Sequence, residues 1–110
     1  MINTEPIKEE ILRILDEKKS ERIIEFDTSA SKARSSDSCI IASGTSSRHM
    51  QSVADHVFKF LKSCKLHPII EGNAKCGWVL IEAAGIEIHL FKPDLREYYD
   101  LETFVSTQCN

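Results

Sequence analysis

The stretch most suggestive of phosphate chemistry is a serine-rich turn, SGTSSR, over residues 43–48. It precedes a helical pattern, and the amide groups at a helix N-terminus can hold an anion. The turn lacks the G-x-x-x-x-G-K-[ST] and G-x-G-x-x-G patterns of nucleotide-binding loops. No pair of carboxylates follows it to hold Mg²⁺ ions, since Asp55 stands alone. We therefore favour a strand-to-helix turn capped by Ser46 or Ser47. A nucleotide-binding or nucleotidyltransferase-like enzyme is the alternative function.

Histidine and cysteine side chains could bind a metal or act as nucleophiles, but their spacing supports neither. Cys64 and His67 have the spacing of zinc ligands, yet no second pair completes a site. His49 and His56 lie two turns apart on one predicted helix, where a solvated polar face explains both. No G-x-S-x-G motif supports a serine nucleophile. The sequence therefore predicts no catalytic residue, no metal site and no cofactor.

Cysteine usage and the first residues bear on the compartment. The four cysteines, Cys39, Cys64, Cys76 and Cys109, form no C-x-x-C pair. Residues 1–10 carry acids where a secretion signal needs an apolar stretch, and an Arg-rich, acid-poor leader is lacking. No window approaches the ~20 apolar residues of a membrane span. We predict a reduced protein of the cytoplasm that does not enter a membrane.

The most informative pattern is an aromatic one, over residues 78–91. Two strand-like runs flank a turn at residues 83–85, which predicts a hairpin. The period of a strand places two sets of side chains on opposite faces: Val79, Ile81, Ile86, Ile88 and Leu90 toward the core, and Trp78, Leu80, His89 and Phe91 on the other side. Aromatic rings with polar groups are typical of binding patches. The alternative is that a helix of the same chain covers this second face.

The distribution of charge favours a basic partner. The formal net charge is -3, whereas proteins that grip phosphate backbones usually carry a basic surplus. From residue 82 to residue 102 there are six acids against two bases. We therefore predict no direct sequence-specific binding of nucleic acid. On a nucleic-acid machine the chain would bind a basic protein, with electrostatic attraction that speeds encounter.

Apolar periodicity predicts one α/β domain over residues 1–110, with a mixed sheet flanked by helices. The first half is predicted to hold a helix over about 5–18, a strand over 22–26, a serine-rich loop over 29–38 and a strand over 39–42. A helix with an apolar stripe over 50–61, an edge strand over 66–70 and a polar turn over 71–77 follow. After the hairpin we predict a short helix from Pro93 to Tyr99 or beyond and a frayed end over 106–110. We expect the strands on either side of the central helix to pair in parallel through a right-handed crossover.

Five motifs, in this order along the chain, resemble those of the ribosomal silencing factor family, RsfS, also called Iojap. They are IASGTSSRH (41–49), ADHV (54–57), GWVL (77–80), EIHLF (87–91) and REYYDLE (96–102). The resemblance runs from about Arg22 to Phe104, and several motifs in the right order make it specific. One departure is EAAG at 82–85, where the family often has an Asp-Tyr-Gly-Asp type segment.

The resemblance implies a mixed sheet of about five strands, distantly like nucleotidyltransferases but without their catalytic acids. It implies a protein that is not an enzyme and that binds the large ribosomal subunit through universal large-subunit protein fourteen. There it would sterically block joining with the small subunit and repress translation when nutrients are short. Family contacts would fall on Trp78, Leu80, His89, Tyr98, Tyr99, Asp100 and Leu101, to which strand alternation adds Phe91. The oligomeric state stays open, with a homodimer of the free protein as one alternative.

Overall fold

The structure, a computed structural model, describes residues 4–27 and 38–94. These residues form two α-helices, α1 (Glu5–Glu17) and α2 (Ser47–Ser63). They also form five strands: β1 (Glu21–Asp27), β2 (Ser38–Ser43), β3 (Ile69–Asn73), β4 (Trp78–Ala83) and β5 (Ile86–Phe91). The predicted mixed α/β class is confirmed. The predicted loop up to residue 37, the chain beyond Asp94 and the end over 106–110 lie outside the described residues.

All five strands join one mixed sheet in the order β1-β2-β5-β4-β3. β2 and β5 are parallel neighbours, whereas β1–β2, β4–β5 and β3–β4 are antiparallel pairs. The expectation that the strands on either side of α2 pair with each other is wrong, because the β4–β5 hairpin lies between them. The crossover through α2 therefore carries the chain from β2 past two strands to the far edge.

Both helices cover the same face of the sheet, called the inner face below. The inner-face strand residues in the core are Ile40, Ala42, Val79, Ile81, Ala83, Ile86, Ile88 and Leu90. The helices contribute Ile11, Ile14, Leu15, Met50, Val53, Ala54, Val57 and Leu61. Burying one large aliphatic side chain of this kind contributes about 1.5–3 kcal/mol, so this layer stabilises the fold. Neither helix is long and apolar enough to cross a membrane.

The turn between β2 and α2 has the serine cap predicted from the sequence. Ser46 is the N-cap residue in extended conformation, and its hydroxyl oxygen accepts a hydrogen bond from the backbone N–H of His49 at 3.1 Å. A cap of this kind contributes about 1 kcal/mol. Gly44 lets the turn approach the helix, because a Cβ there would lie 2.2 Å from Cγ of Met50.

The edge strand β3 begins later than predicted and takes in residues expected to form a polar turn. It spans Ile69–Asn73 rather than residues 66–70 and pairs with β4. Pro68 precedes the strand, where its missing N–H removes no bond of the ladder. All five residues of β3 are exposed, so polar residues such as Glu71 and Asn73 are compatible with a strand at the sheet edge. Only Ala74–Cys76, a short 3₁₀ helix, and Gly77 remain of the predicted turn.

The hairpin of β4 and β5 forms despite the EAAG departure. Its connection is the pair Ala84–Gly85, with φ angles of 51° and 81°. Positive φ at both central residues is the signature of a type I′ turn, whose twist matches that of the flanking strands. Glycine supplies one of these conformations without strain. Val79 and Ile81 therefore share a face with Ile86, Ile88 and Leu90, as predicted.

Candidate functional site

The face of the sheet opposite the helices, called the outer face, brings the predicted strand residues of the binding site together. Across β4 and β5, Trp78 lies opposite Phe91 and Leu80 lies opposite His89. Because side chains alternate along a strand, these four share one face, as the sequence predicted. The outer face also includes Ile24, Cys39, Ile41, Ser43, Ile69, Glu71, Asn73, Glu82 and Glu87.

Three rings form a stacked group on the outer face. The centroids of Trp78 and Phe91 are 6.3 Å apart with the planes at 22°, and those of His89 and Phe91 are 5.9 Å apart at 8°. Phe91 is buried, whereas Trp78 and His89 are half-buried. Gly72 leaves room for the indole, because a Cβ there would lie 2.8 Å from Cε3 of Trp78. Phe91 is thus placed to hold the other two rings, which keep exposed edges.

Exposure increases across the outer face toward β3. Cys39 and Ile41 on β2 are completely buried. Trp78 and Leu80 on β4 are half-buried, and Ile69 on β3 is 59% exposed. Since α1 and α2 lie on the inner face, neither of them covers these side chains. The outer face is therefore buried along β2, by neither of the two described helices, and open along β4 and β3.

The acids of the outer face differ in the same way. Glu71 and Glu82 are exposed beside Leu80, at the open side. Glu87, in contrast, is only 9% exposed, and its Oε1 lies 3.1 Å from Nε2 of His89. The exposed pair gives the open side negative charge, while Glu87 positions the imidazole.

Cys39, Glu87 and His89 form a cluster that the sequence did not predict. Their potential metal-ligand atoms all lie within 4.8 Å of one another. Spacing rules fail here because Cys39 is on a different strand, far from the other two along the chain. The signal lies in the parallel register, which sets Cys39 opposite Glu87 and one strand period from His89. Correct pairing of β2 with β5 would have identified the group.

The serine-rich turn, in contrast, uses its own amide groups. The backbone N–H groups of Gly44, Thr45, His49 and Met50 all donate to acceptors within the protein. A phosphate bound at this turn would have to displace those bonds. These four amides are therefore already engaged and are not available to bind an anion.

His49 has a structural part in that turn, and the prediction that it lies on a solvated face is wrong. Its Nδ1 accepts a hydrogen bond from the Thr45 N–H at 3.0 Å. The proton is therefore on Nε2, which donates to the Lys18 carbonyl at 2.6 Å. His49 thus connects the end of α1 to the start of α2. His56, two turns further along α2, is exposed as predicted, and its Nδ1 lies 3.0 Å from the carbonyl oxygen of Ser52.

The remaining predicted binding residues, Tyr98, Tyr99, Asp100 and Leu101, lie outside the described residues. Their contribution to the site stays a prediction. Among the described residues, the outer face runs across all five strands, because Ile24 of β1 lies opposite Ile41.

Comparison with known proteins gives a consistent result. The family model for RsfS, described as ribosomal silencing factor during starvation, matches residues 2–109. A ribosomal silencing factor RsfS from Zymomonas mobilis is 39% identical over 74 residues, which are 66% of this chain and 56% of that protein. The mouse protein named mitochondrial assembly of ribosomal large subunit protein 1 is 36% identical over 73 residues, 63% of this chain and 32% of that protein. The chain thus matches about half or less of these two relatives.

Similarity extends over more of the chain in proteins of Chromobacterium violaceum. A ribosomal silencing factor RsfS from this organism is 33% identical over 83% of this chain and 75% of its own length. A crystal structure of a protein from the same organism superposes with a TM-score of 0.83 at 31% identity, covering 94% of this chain and 86% of that one. The fold described above is therefore shared with a solved structure over nearly the whole chain.

Proposed function

The chain belongs to the ribosomal silencing factor family, RsfS, and we propose that it acts in the cytoplasm by binding the large ribosomal subunit and sterically blocking its joining with the small subunit. The protein contacted would be universal large-subunit protein fourteen. Such an activity requires occupancy of a surface rather than catalysis, and its result would be repression of translation when nutrients are short. The family match over residues 2–109 is the observation that carries the proposal.

The family description and the name of one relative support two parts of this proposal, repression when nutrients are short and action on the large ribosomal subunit. The family description places silencing under starvation. The mouse relative is named for assembly of the ribosomal large subunit. The described cysteines, Cys39, Cys64 and Cys76, form no disulfide, which suits a reducing compartment such as the cytoplasm.

The outer face offers the chemistry that a basic protein surface would bind. Trp78 and Leu80 provide apolar area at its centre, with Glu71 and Glu82 beside them. Interface energy concentrates in aromatic anchors, each of which contributes ~2 kcal/mol or more when well buried in the complex. The acids around them would steer a basic partner and set its orientation. We propose that Trp78, Leu80, His89 and Phe91 form one part of the contact, and Tyr98, Tyr99, Asp100 and Leu101 the other.

The dimensions of the chain make steric exclusion sufficient. Its principal extents are 37 × 32 × 21 Å. A contact of standard size, ~800 Å² on this side, would use about an eighth of its 6598 Å² surface. Most of the body would then project from the ribosomal surface. Two large particles with closely fitting interfaces cannot meet with such a body between them, and no conformational signal is needed.

Sedimentation with purified large subunits tests the binding part. Trp78→Ala should weaken co-sedimentation of the full chain by on the order of tenfold or more, because it removes the central aromatic anchor. Ile70→Ala is the matched control. Ile70 is 45% exposed and follows the outer-face residue Ile69 on β3, but it lies opposite Ile81 and so is on the inner face. It should bind as the unaltered chain does. Urea unfolding of both variants shows whether each is folded.

A subunit-joining assay followed by light scattering tests the blocking part. The unaltered chain should prevent joining, and Trp78→Ala should fail to do so at the same concentration. Equal co-sedimentation of Trp78→Ala and the unaltered chain would remove the outer face from the proposal. Joining that proceeds with the unaltered chain bound would remove steric exclusion.

A further inference from the structure

We propose that Cys39, Glu87 and His89 form a binding site for a divalent transition-metal ion of the zinc class. A thiolate, a carboxylate and an imidazole are the three donor types that proteins use for Zn²⁺. Here one of each meets on the outer face, with the ligand atoms within 4.8 Å of one another. The inference concerns the chain itself and does not depend on ribosome binding.

The distances fit a metal ion after small side-chain movements. Zinc lies about 2.3 Å from a thiolate sulfur and about 2.0–2.1 Å from an imidazole nitrogen, so two such ligands at the tetrahedral angle are ~3.6 Å apart. A separation of up to 4.8 Å therefore needs to close by only ~1 Å, which rotation about side-chain bonds can supply. The strands need not move.

The backbone and neighbouring groups hold the three ligands in place. Cys39 lies opposite Glu87 in the parallel β2–β5 ladder, and His89 follows on the same side of β5. The imidazole ring stacks on Phe91, and its Nε2 already lies 3.1 Å from Oε1 of Glu87, a contact that coordination of both atoms to one ion would replace. Ligands held on rigid strands by such contacts lose little freedom when an ion binds, which favours affinity.

Burial decides between a metal site and a nucleophilic thiol. Cysteine, histidine and a carboxylate also occur together in thiol enzymes. A nucleophile must reach its substrate, but Cys39 is completely buried. A bare ion is far smaller than a substrate, and the His89 side chain, 14% exposed, gives it a route to the cluster. Three protein ligands would leave a fourth position for a water or for a donor from a bound molecule.

Metal uptake by the purified full chain tests this site. After treatment with a chelator, the protein is dialysed against ZnCl₂ and the bound zinc is measured by elemental analysis. We expect one zinc ion per chain. Cys39→Ser and His89→Gln should each lower the affinity at least tenfold, since the loss even of groups that only support a ligand typically costs 10–100-fold. Titration with Co²⁺ should give a thiolate-to-cobalt absorption band that is absent in Cys39→Ser.

The matched control is the double variant Cys64→Ser, Cys76→Ser, which removes the two other described cysteines and the Cys64–His67 pair. It should bind zinc and show the cobalt band as the unaltered chain does. His89→Gln keeps the test decisive should Cys39→Ser fail to fold, because His89 is partly exposed. Failure of the unaltered chain to take up zinc in stoichiometric amount would overturn the proposal. So would equal binding by His89→Gln.

Discussion

The two faces of the sheet are built from the same strands but from different chemistry. On the inner face, Ile40, Ile81 and Ile88 are completely buried beneath the helices, and their neighbours there are aliphatic as well. On the outer face, the alternating side chains of β4 and β5 include an indole, an imidazole and two carboxylates. A single strand thus packs the core with one set of side chains and, in the function proposed, would contact the partner with the other. Changes to one face should therefore leave the property of the other largely intact.

Truncating one side chain on each face should show the largest difference between the two faces. Ile88→Ala should lower the free energy of unfolding by about 2–5 kcal/mol, because it leaves a cavity in a packed layer. Leu80→Ala, on the half-buried outer face, should cost about 1 kcal/mol. Urea denaturation measures both, and binding to large subunits should be weakened by Leu80→Ala. Equal losses of stability would mean that the outer face is a second core.

The inner face could be predicted from the sequence because burial imposes a period. In α2, from Met50 to Leu61, and in β4 and β5, one face is buried. Apolar residues therefore recur with the period of the helix or the strand, and the sequence shows this pattern. The same alternation placed Trp78 and His89 together on the opposite side. Family resemblance then gave an expectation of what such a surface binds, which periodicity cannot supply.

What could not be predicted depends on pairing between distant strands. β3 was placed too early because its exposed edge position removes the apolar signal that marks other strands. The pairing of β2 with β5 rather than β3 is a property of topology and not of local pattern. The cluster of Cys39, Glu87 and His89 follows from that pairing and was missed with it.

The helical layer also contains hydrogen bonds, which should contribute less to the free energy of unfolding than its aliphatic packing does. His49→Ala removes both the acceptor for the Thr45 N–H and the donor to the Lys18 carbonyl. At about 0.5–1.5 kcal/mol for each hydrogen bond, the loss should be about 1–3 kcal/mol, smaller than that of Ile88→Ala. His56→Ala, on the exposed side of α2, should change stability by no more than about 0.5 kcal/mol. Similar unfolding midpoints for the two histidine variants would show that His49 does not fasten α1 to α2.

The smallest expected effect concerns the contact of α1 with the sheet edge at β1. Nζ of Lys8 lies 3.1 Å from Oε1 of Glu5 and 3.2 Å from Oε2 of Glu25. Burial acts to lower the pKa of Lys8, but hydrogen bonds and charge attraction from Glu5 and Glu25 outweigh it and raise the pKa above its ordinary value of 10.5. Because these groups are near the surface, Lys8→Met should cost ~0.2–1 kcal/mol at neutral pH.

The direction of the pKa shift also predicts the pH dependence of that cost. A lysine whose pKa is raised by folding stabilises the protein fully below its unfolded pKa, and this contribution is lost as the pH rises through the folded value. The difference in unfolding free energy between the unaltered chain and Lys8→Met should therefore be constant near neutrality and shrink above pH 10.5. A double-mutant cycle with Glu25→Gln isolates the link between α1 and β1. Zero coupling energy in that cycle would contradict the link. So would a stability difference that persists at strongly alkaline pH. Either result would assign the effect of Lys8 to the packing of its aliphatic chain, together with the apolar contacts of the inner face.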